Sequence, residues 1–193
     1  MRTKITTLLA TSLLLVLAAL LAGSPASAAP GSAVSFTAQA RAAGLTAAQA
    51  GALQDEVNRD LASLGGKQVA PNRIQLEGAT LYLAVPGEAH PRDLTAGTGA
   101  TPFYDPCAGG GADHLHMCAY SKTYYTGSEL DMYSCKRYYV STWSGPGSWD
   151  NEQSDGTVAY MYGPTGAFVY KTPPAPSWDA TGNWSSVHSI VNC

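Results

Sequence analysis

The hydrophobic pattern of this chain changes period partway along. From Thr46 onward, Leu53, Val57, Leu61 and Leu64 recur at steps of four, four and three, the spacing that lines one face of a helix. Thr46 and Gln49 stand at the spacing of a capping box, and Gly65-Gly66 supplies the stop. Next, Ile74 and Leu76, then Leu81, Leu83 and Val85, alternate with other residues, which predicts two strands of a hairpin about Glu77-Gly78. Beyond residue 103 come short Tyr-rich runs broken by Gly, Pro, Asp and Asn at intervals of roughly 8–12 residues, the signature of an antiparallel sandwich or barrel.

Between the two textures, the stretch HPRDLTAGTGATP has no apolar period and reads as a linker, whose bounds are set at residues 96–104. The expected organisation is a small α+β segment over 29–95, either a layer on the main domain or a propeptide, followed by a β domain over 105–193. The composition sharpens this division. All four cysteines, all four tryptophans and ten of the eleven tyrosines lie after residue 103.

The first residues carry positive charge at Arg2 and Lys4, then an apolar run from Ile5 to Leu21 and a small-x-small site at Ala26-Ser27-Ala28. That order predicts a secretory signal peptide over 1–28, a mature chain beginning near Ala29, and a secreted, extracellular product with no stable membrane anchor. Without Arg2 and Lys4 the chain keeps 9 basic residues against 14 acidic ones, a net charge near −5. This excess of acid argues against nucleic acid and against anionic membrane as partners.

Four cysteines in an exported domain predict two disulfides, and three connectivities are open. Cys107–Cys118 with Cys135–Cys193 is favoured; the first closes a short loop and the second a long one that ties down the last strand, worth roughly 3 and roughly 4 kcal/mol by loop entropy. An internal duplication is also expected. Trp143 and Trp149 are separated by five residues, as are Trp178 and Trp184, and Gly127 and Gly166 each open an alternating strand upstream. Core packing is the favoured role for these tryptophans, over sugar stacking.

Tyr120, Tyr125 and Gly127 have an aromatic-x4-aromatic-x-Gly spacing that resembles the hairpin signature of βγ-crystallin Greek keys. Trp149-Asp150-Asn151-Glu152-Gln153-Ser154 resembles the calcium motif of microbial members, with a departure at Asp155. Together with the Cys107, Cys118 and Cys135 spacing and the secretory signal, the pattern over 105–193 is similar to the small secreted metalloproteinase inhibitors of streptomycetes. The resemblance implies a mainly β fold, a crystallin-like double Greek-key sandwich. It also implies a surface loop that blocks an extracellular protease, and calcium as a candidate ligand of Asp150, Asn151 and Ser154. Three side-chain donors are half of the six to eight oxygens calcium takes.

Other constellations carry less. His114 and His116 alternate and would share a face on a strand, but no further pair completes a closed zinc site, and solvated loop histidines are the favoured reading. Glu129 and Asp131 alternate too and could form a carboxylate pair, though alternating acids more often line a solvated face. No nucleophile elbow, Ser-x-x-Lys or lone cysteine is present. The expectation is therefore a secreted peptidase inhibitor-like binding protein and not an enzyme, with Gly145-Pro146-Gly147 as inhibitory loop in preference to the glycine run at 109–111. The alternatives are a glycan- or cell-wall-binding module and a calcium-binding crystallin-like protein.

Overall fold

The computed structural model describes residues 35–95 and 103–193. The signal peptide read over 1–28 and most of the linker read over 96–104 lie outside the described residues.

Two helices come first. In α1 (Phe36–Ala42) the Ser35 hydroxyl accepts the Ala38 N–H at 3.2 Å. In α2 (Ala47–Leu64) the Thr46 hydroxyl accepts the Gln49 N–H at 3.2 Å while the Gln49 side chain accepts the Thr46 N–H at 3.1 Å. This is the predicted capping box, and the helix ends at Gly65 with φ 75°. The strands follow as β1 (Lys67–Ala70), β2 (Arg73–Leu76), β3 (Ala79–Tyr82), β4 (Met117–Lys122), β5 (Thr126–Met132), β6 (Arg137–Tyr139), β7 (Pro146–Asn151), β8 (Tyr160–Tyr162), β9 (Phe168–Lys171), β10 (Ser177–Asn183) and β11 (Ser189–Val191). The hairpin β2–β3 turns at Glu77-Gly78 as its alternation predicts. Neither α1 nor β1 was expected, because each is too short to establish a period.

The strands form two antiparallel sheets, one ordered β1-β2-β3-β5-β4-β7-β10 and the other β6-β11-β8-β9. Strands β4 to β7 and β8 to β11 are two quartets with one plan: the fourth strand lies beside the first, and the third crosses to the other sheet. Gly127 and Gly166 do mark equivalent places, at or just before the second strand of each quartet, with φ 87° and 79°. A Cβ on Gly127 would meet the Ser121 hydroxyl at 2.2 Å, so the fold-over admits only glycine. The tryptophan pairs are not equivalent. Trp149 sits within a fourth strand, Trp184 follows a third strand, and Trp178 is 64% exposed.

The seven-stranded sheet is wider than the four-stranded one, and α2 covers the excess by packing against β1 and β2. One core results, drawing Leu53 and Val57 from the helix, Ile74 and Leu81 from the hairpin, Leu130 and Met132 from β5, and Tyr138, Met161 and Ile190 from the small sheet. The boundary read at residue 95 is therefore not a boundary between folding units. β3 is paired to β5 along its length, with Leu81 opposite Leu130, and residues 34–193 form one compact unit. Leu94, in the stretch read as having no apolar period, is buried in this core. The hairpin turn is held as well: the Gly78 carbonyl accepts the Tyr138 hydroxyl at 2.7 Å.

Two disulfides are present, Cys107–Cys118 and Cys135–Cys193. The second anchors the chain just after β11 to the residues preceding β6. Replacement of Leu81 by alanine should destabilise the whole chain by about 2–4 kcal/mol in a single denaturant transition, and a fragment covering 103–193 should fail to fold. Two separate transitions, with the second unmoved by Leu81→Ala, would restore the two-unit organisation.

Candidate functional site

Strand alternation sends Leu81, Leu130 and Ala119 to the core and the intervening residues Thr80, Tyr82, Glu129, Asp131, Cys118 and Tyr120 to the outer face of the large sheet. This polar face is buried by the loop from residue 103 to 116. Cys107–Cys118 staples the loop to β4, the Tyr82 hydroxyl donates to the Tyr104 carbonyl, and the Tyr120 hydroxyl donates to the Cys107 carbonyl, both at 2.9 Å. Farther along, the Ala112 N–H donates to Asp150 Oδ2 at 2.9 Å, and the Leu115 N–H to the Glu152 carbonyl at 2.7 Å.

Glu129 and Asp131, expected on a solvated face, are thus 1% and 2% exposed. The difference has a nonlocal cause, since what covers them comes from the loop before β4. Asp131 is partnered by His116 Nδ1 at 2.5 Å, which ties that half-buried histidine to the sheet. Glu129 faces Asp105 of the loop, with His90 Nδ1 at 3.7 Å and one carboxylate oxygen left without a partner. Burial, followed by the Asp105 charge, pushes the Glu129 carboxyl up to about 10. Burial also raises Asp105 and Asp131, against the lowering effects of the Cys107 N–H on one and His116 on the other. Asp105 and Glu129 hold a proton between them near neutral pH, because two carboxylates cannot both ionise side by side in a desolvated site. Glu129 lies buried beneath the loop and the half-buried Asp105 belongs to it, so the pair joins loop to sheet.

The other candidates are dispersed. His114 is exposed while His116 turns inward to Asp131, so the two imidazoles do not converge. Cys107, Cys118 and Asp131 bring their ligand atoms within 4.8 Å of one another, but both sulfurs are in the disulfide. Asp150 and Asn151 are neighbours on β7 and point to opposite faces: the Asp150 carboxylate accepts from Ala112, and the Asn151 amide donates to the Thr157 carbonyl at 3.1 Å. Ser154 is exposed in the turn beyond. In the turn expected to be an inhibitory loop, Gly147 is buried against Trp184, whose indole nitrogen would lie 1.8 Å from a Cβ added there. The exposed part of the turn is displaced toward residues 141–146.

A further feature left no signal in the sequence. A slot of about 250 Å³ opens between β9 and β10, the free edges of the two sheets, lined by Trp149, Tyr170 and Trp184 with Asp179 and Asn183 at its lip. A bulge in β10 between Asp179 and Gly182 shapes that lip. The architecture is a mainly β protein of two antiparallel sheets carrying two disulfides, and no helix among the described residues is long and apolar enough to cross a membrane. Comparison with protein families, curated proteins and solved structures finds no match.

A carboxyl whose folded pKa is raised stabilises the fold fully below its unfolded value of 4.5, and that stabilisation is lost as pH rises toward the folded value of about 10. The melting temperature should therefore fall between pH 5 and pH 9.5, and Glu129→Gln should flatten that slope. A wild-type melting temperature that is level over the range would remove the shared proton. Millimolar calcium should leave the melting temperature within about a degree, since Asp150 and Asn151 are engaged with different loops. A rise of several degrees that Asp150→Ala abolishes would instead place the ion on those side chains.

Proposed function

We propose that the protein is a secreted peptidase inhibitor, or an inhibitor-like binding protein, with a double Greek-key body of the crystallin kind. The strand plan supports the body. In each quartet the fourth strand returns beside the first, the defining step of a Greek key, and the exchanged third strands interlock the two copies. That plan supports the architecture that the Tyr120, Tyr125 and Gly127 spacing implies by its resemblance to βγ-crystallins.

The carrying observation for inhibition is the loop 141–146. Its Trp143 N–H donates to the Val140 carbonyl at 2.9 Å, the Trp184 N–H to the Gly145 carbonyl at 2.7 Å, and the Gly145 N–H to the Ser185 hydroxyl at 3.1 Å. Ser141 meets Ser63 of α2 at 3.0 Å. Ser141, Thr142, Ser144 and Pro146 remain exposed between these anchors. A loop fixed before its partner arrives loses little conformational entropy on binding and resists being drawn into a protease cleft as substrate. The partner under this reading is an extracellular protease, and the leader read at residues 1–28 brings the two into one compartment.

The slot between β9 and β10 favours a second reading as a glycan binder, because rings beside a carboxylate and a carboxamide match the apolar and hydroxyl faces of a sugar. Pull-down on insoluble glycans tests it directly.

Titration of the disulfide-intact protein against a thermolysin-like metalloprotease should give stoichiometric inhibition that disappears on reduction. Gly145→Val, which forces a β-branched residue to φ 78°, should weaken inhibition by about tenfold or more while both sheets persist by circular dichroism. If the folded protein leaves metallo-, serine and cysteine proteases unaffected at micromolar concentration, and retention on glycans depends on Tyr170 and Asp179, the glycan reading replaces the inhibitor.

A further inference from the structure

The outer faces of the two sheets differ in charge. Against a formal net charge of −3 for the chain, strands β6, β8, β9 and β11 contain no acidic residue, and neither do residues 156–178 or 180–193. The four-stranded sheet instead carries Arg137 and Lys171, both exposed, among tyrosines and Phe168.

One row runs across this face in register, Tyr139 opposite Ser189, Ser189 opposite Tyr162, and Tyr162 opposite Phe168. Ser189 is the small member between two tyrosines, and the side chain of Arg137 crosses to it. Arg137 Nη1 donates to the Ser189 hydroxyl at 2.6 Å, and its guanidinium lies over the Tyr162 ring at 4.5 Å from the centroid. His188 packs edge-on against Tyr139. A concavity of about 370 Å³ opens beside them, closed on its far side by the turn from Gly163 to Gly166. Among the described residues neither Arg137 nor Lys171 is in a salt bridge, whereas Arg92 and Lys136, elsewhere, are paired to Glu88 and Glu77.

An arginine fixed at one nitrogen and stacked on one face keeps its remaining donors aligned for a planar bidentate acceptor. Tyrosine and arginine are also the residue types enriched where protein partners bind most tightly. We infer that the outer face of the four-stranded sheet is a docking surface for an acidic protein segment, in which Arg137 receives a glutamate or aspartate carboxylate and Tyr139, Tyr162 and Phe168 pack against the neighbouring residues. The occupant follows from charge complementarity, because an acid-free, arginine-bearing face on an acidic protein attracts acidic surfaces that the rest of the molecule repels. This surface is distinct from the loop 141–146, and its test does not depend on protease inhibition.

The experiment uses the full disulfide-intact chain and a fluorescein-labelled peptide of alternating glutamate and threonine, followed by anisotropy, with a lysine-threonine peptide and polygalacturonate as the other arms. The expected result is saturable binding of the acidic peptide alone, weakening as salt rises and weakening at least tenfold in Arg137→Gln and in Arg137→Lys, while melting temperature changes little. Ser189→Ala should give an intermediate loss by freeing the guanidinium. Peptide binding that is unchanged in both Arg137 variants overturns the assignment, as does Arg137-dependent capture of polygalacturonate with no binding of the acidic peptide, which would make the face a receptor for anionic glycans.

Discussion

The pairing of β3 with β5 is the contact on which the rest of the structure depends. It places Leu81 opposite Leu130, so that the three strands β1 to β3 become the continuation of a sheet whose other four strands lie beyond residue 116. Once that sheet is seven strands wide, the four-stranded partner leaves part of its apolar face uncovered, and α2 is the element that closes it. On the face of the helix turned to the sheet, Leu53 and Val57 are both 1% exposed or less, and their neighbours are in the shared core. The hydrophobic term is proportional to the apolar area removed from water, which makes the helix, the hairpin and the sandwich a single cooperative unit.

The outer face of the same sheet has a different difficulty. Thr80, Glu129, Asp131 and Asp150 are polar and buried, and a buried polar group is tolerated only when it is partnered or neutral. The loop over residues 103–116 supplies the partners through backbone and side-chain bonds, and the disulfide to Cys118 keeps it in place while they form. Glu129 and Asp150 each keep one buried oxygen without a partner, and for Glu129 the cost is met by retaining its proton beside Asp105. Loop, staple and protonated acid together make one covering layer.

Much of the local structure was legible in the chain. The capping box at Thr46 and Gln49, the turn at Glu77-Gly78 and the two Gly positions that open second strands are short-range signals with a backbone cause, and each is found where it was read. What was not legible depends on residues distant in sequence. Nothing near β3 announces β5 as its neighbour, so the chain was divided after residue 95, although Leu94 just before that point is in the shared core. Nothing near Glu129 announces the loop that covers it, so an internal acid pair read as a solvated one. The tryptophan spacing misled for a related reason: it matched intervals along the chain, whereas the repeat is in the order of strands, whose lengths differ between the quartets.

The two sheets thus divide the labour of a small sandwich. The large sheet turns one face to the core and covers the middle of the other with the stapled loop, leaving outward residues such as Gln75 and Trp178 in solvent. The small sheet buries Tyr138, Met161 and Ile190 inward and leaves its other face open, with rings and an arginine whose positions are fixed by neighbours within the sheet. Exposed aromatic residues on a β surface are a liability for self-association unless charge opposes it. Arg137 and Lys171 give two copies of this face the same sign, so the charge proposed to attract an acidic partner also opposes pairing of the face with itself.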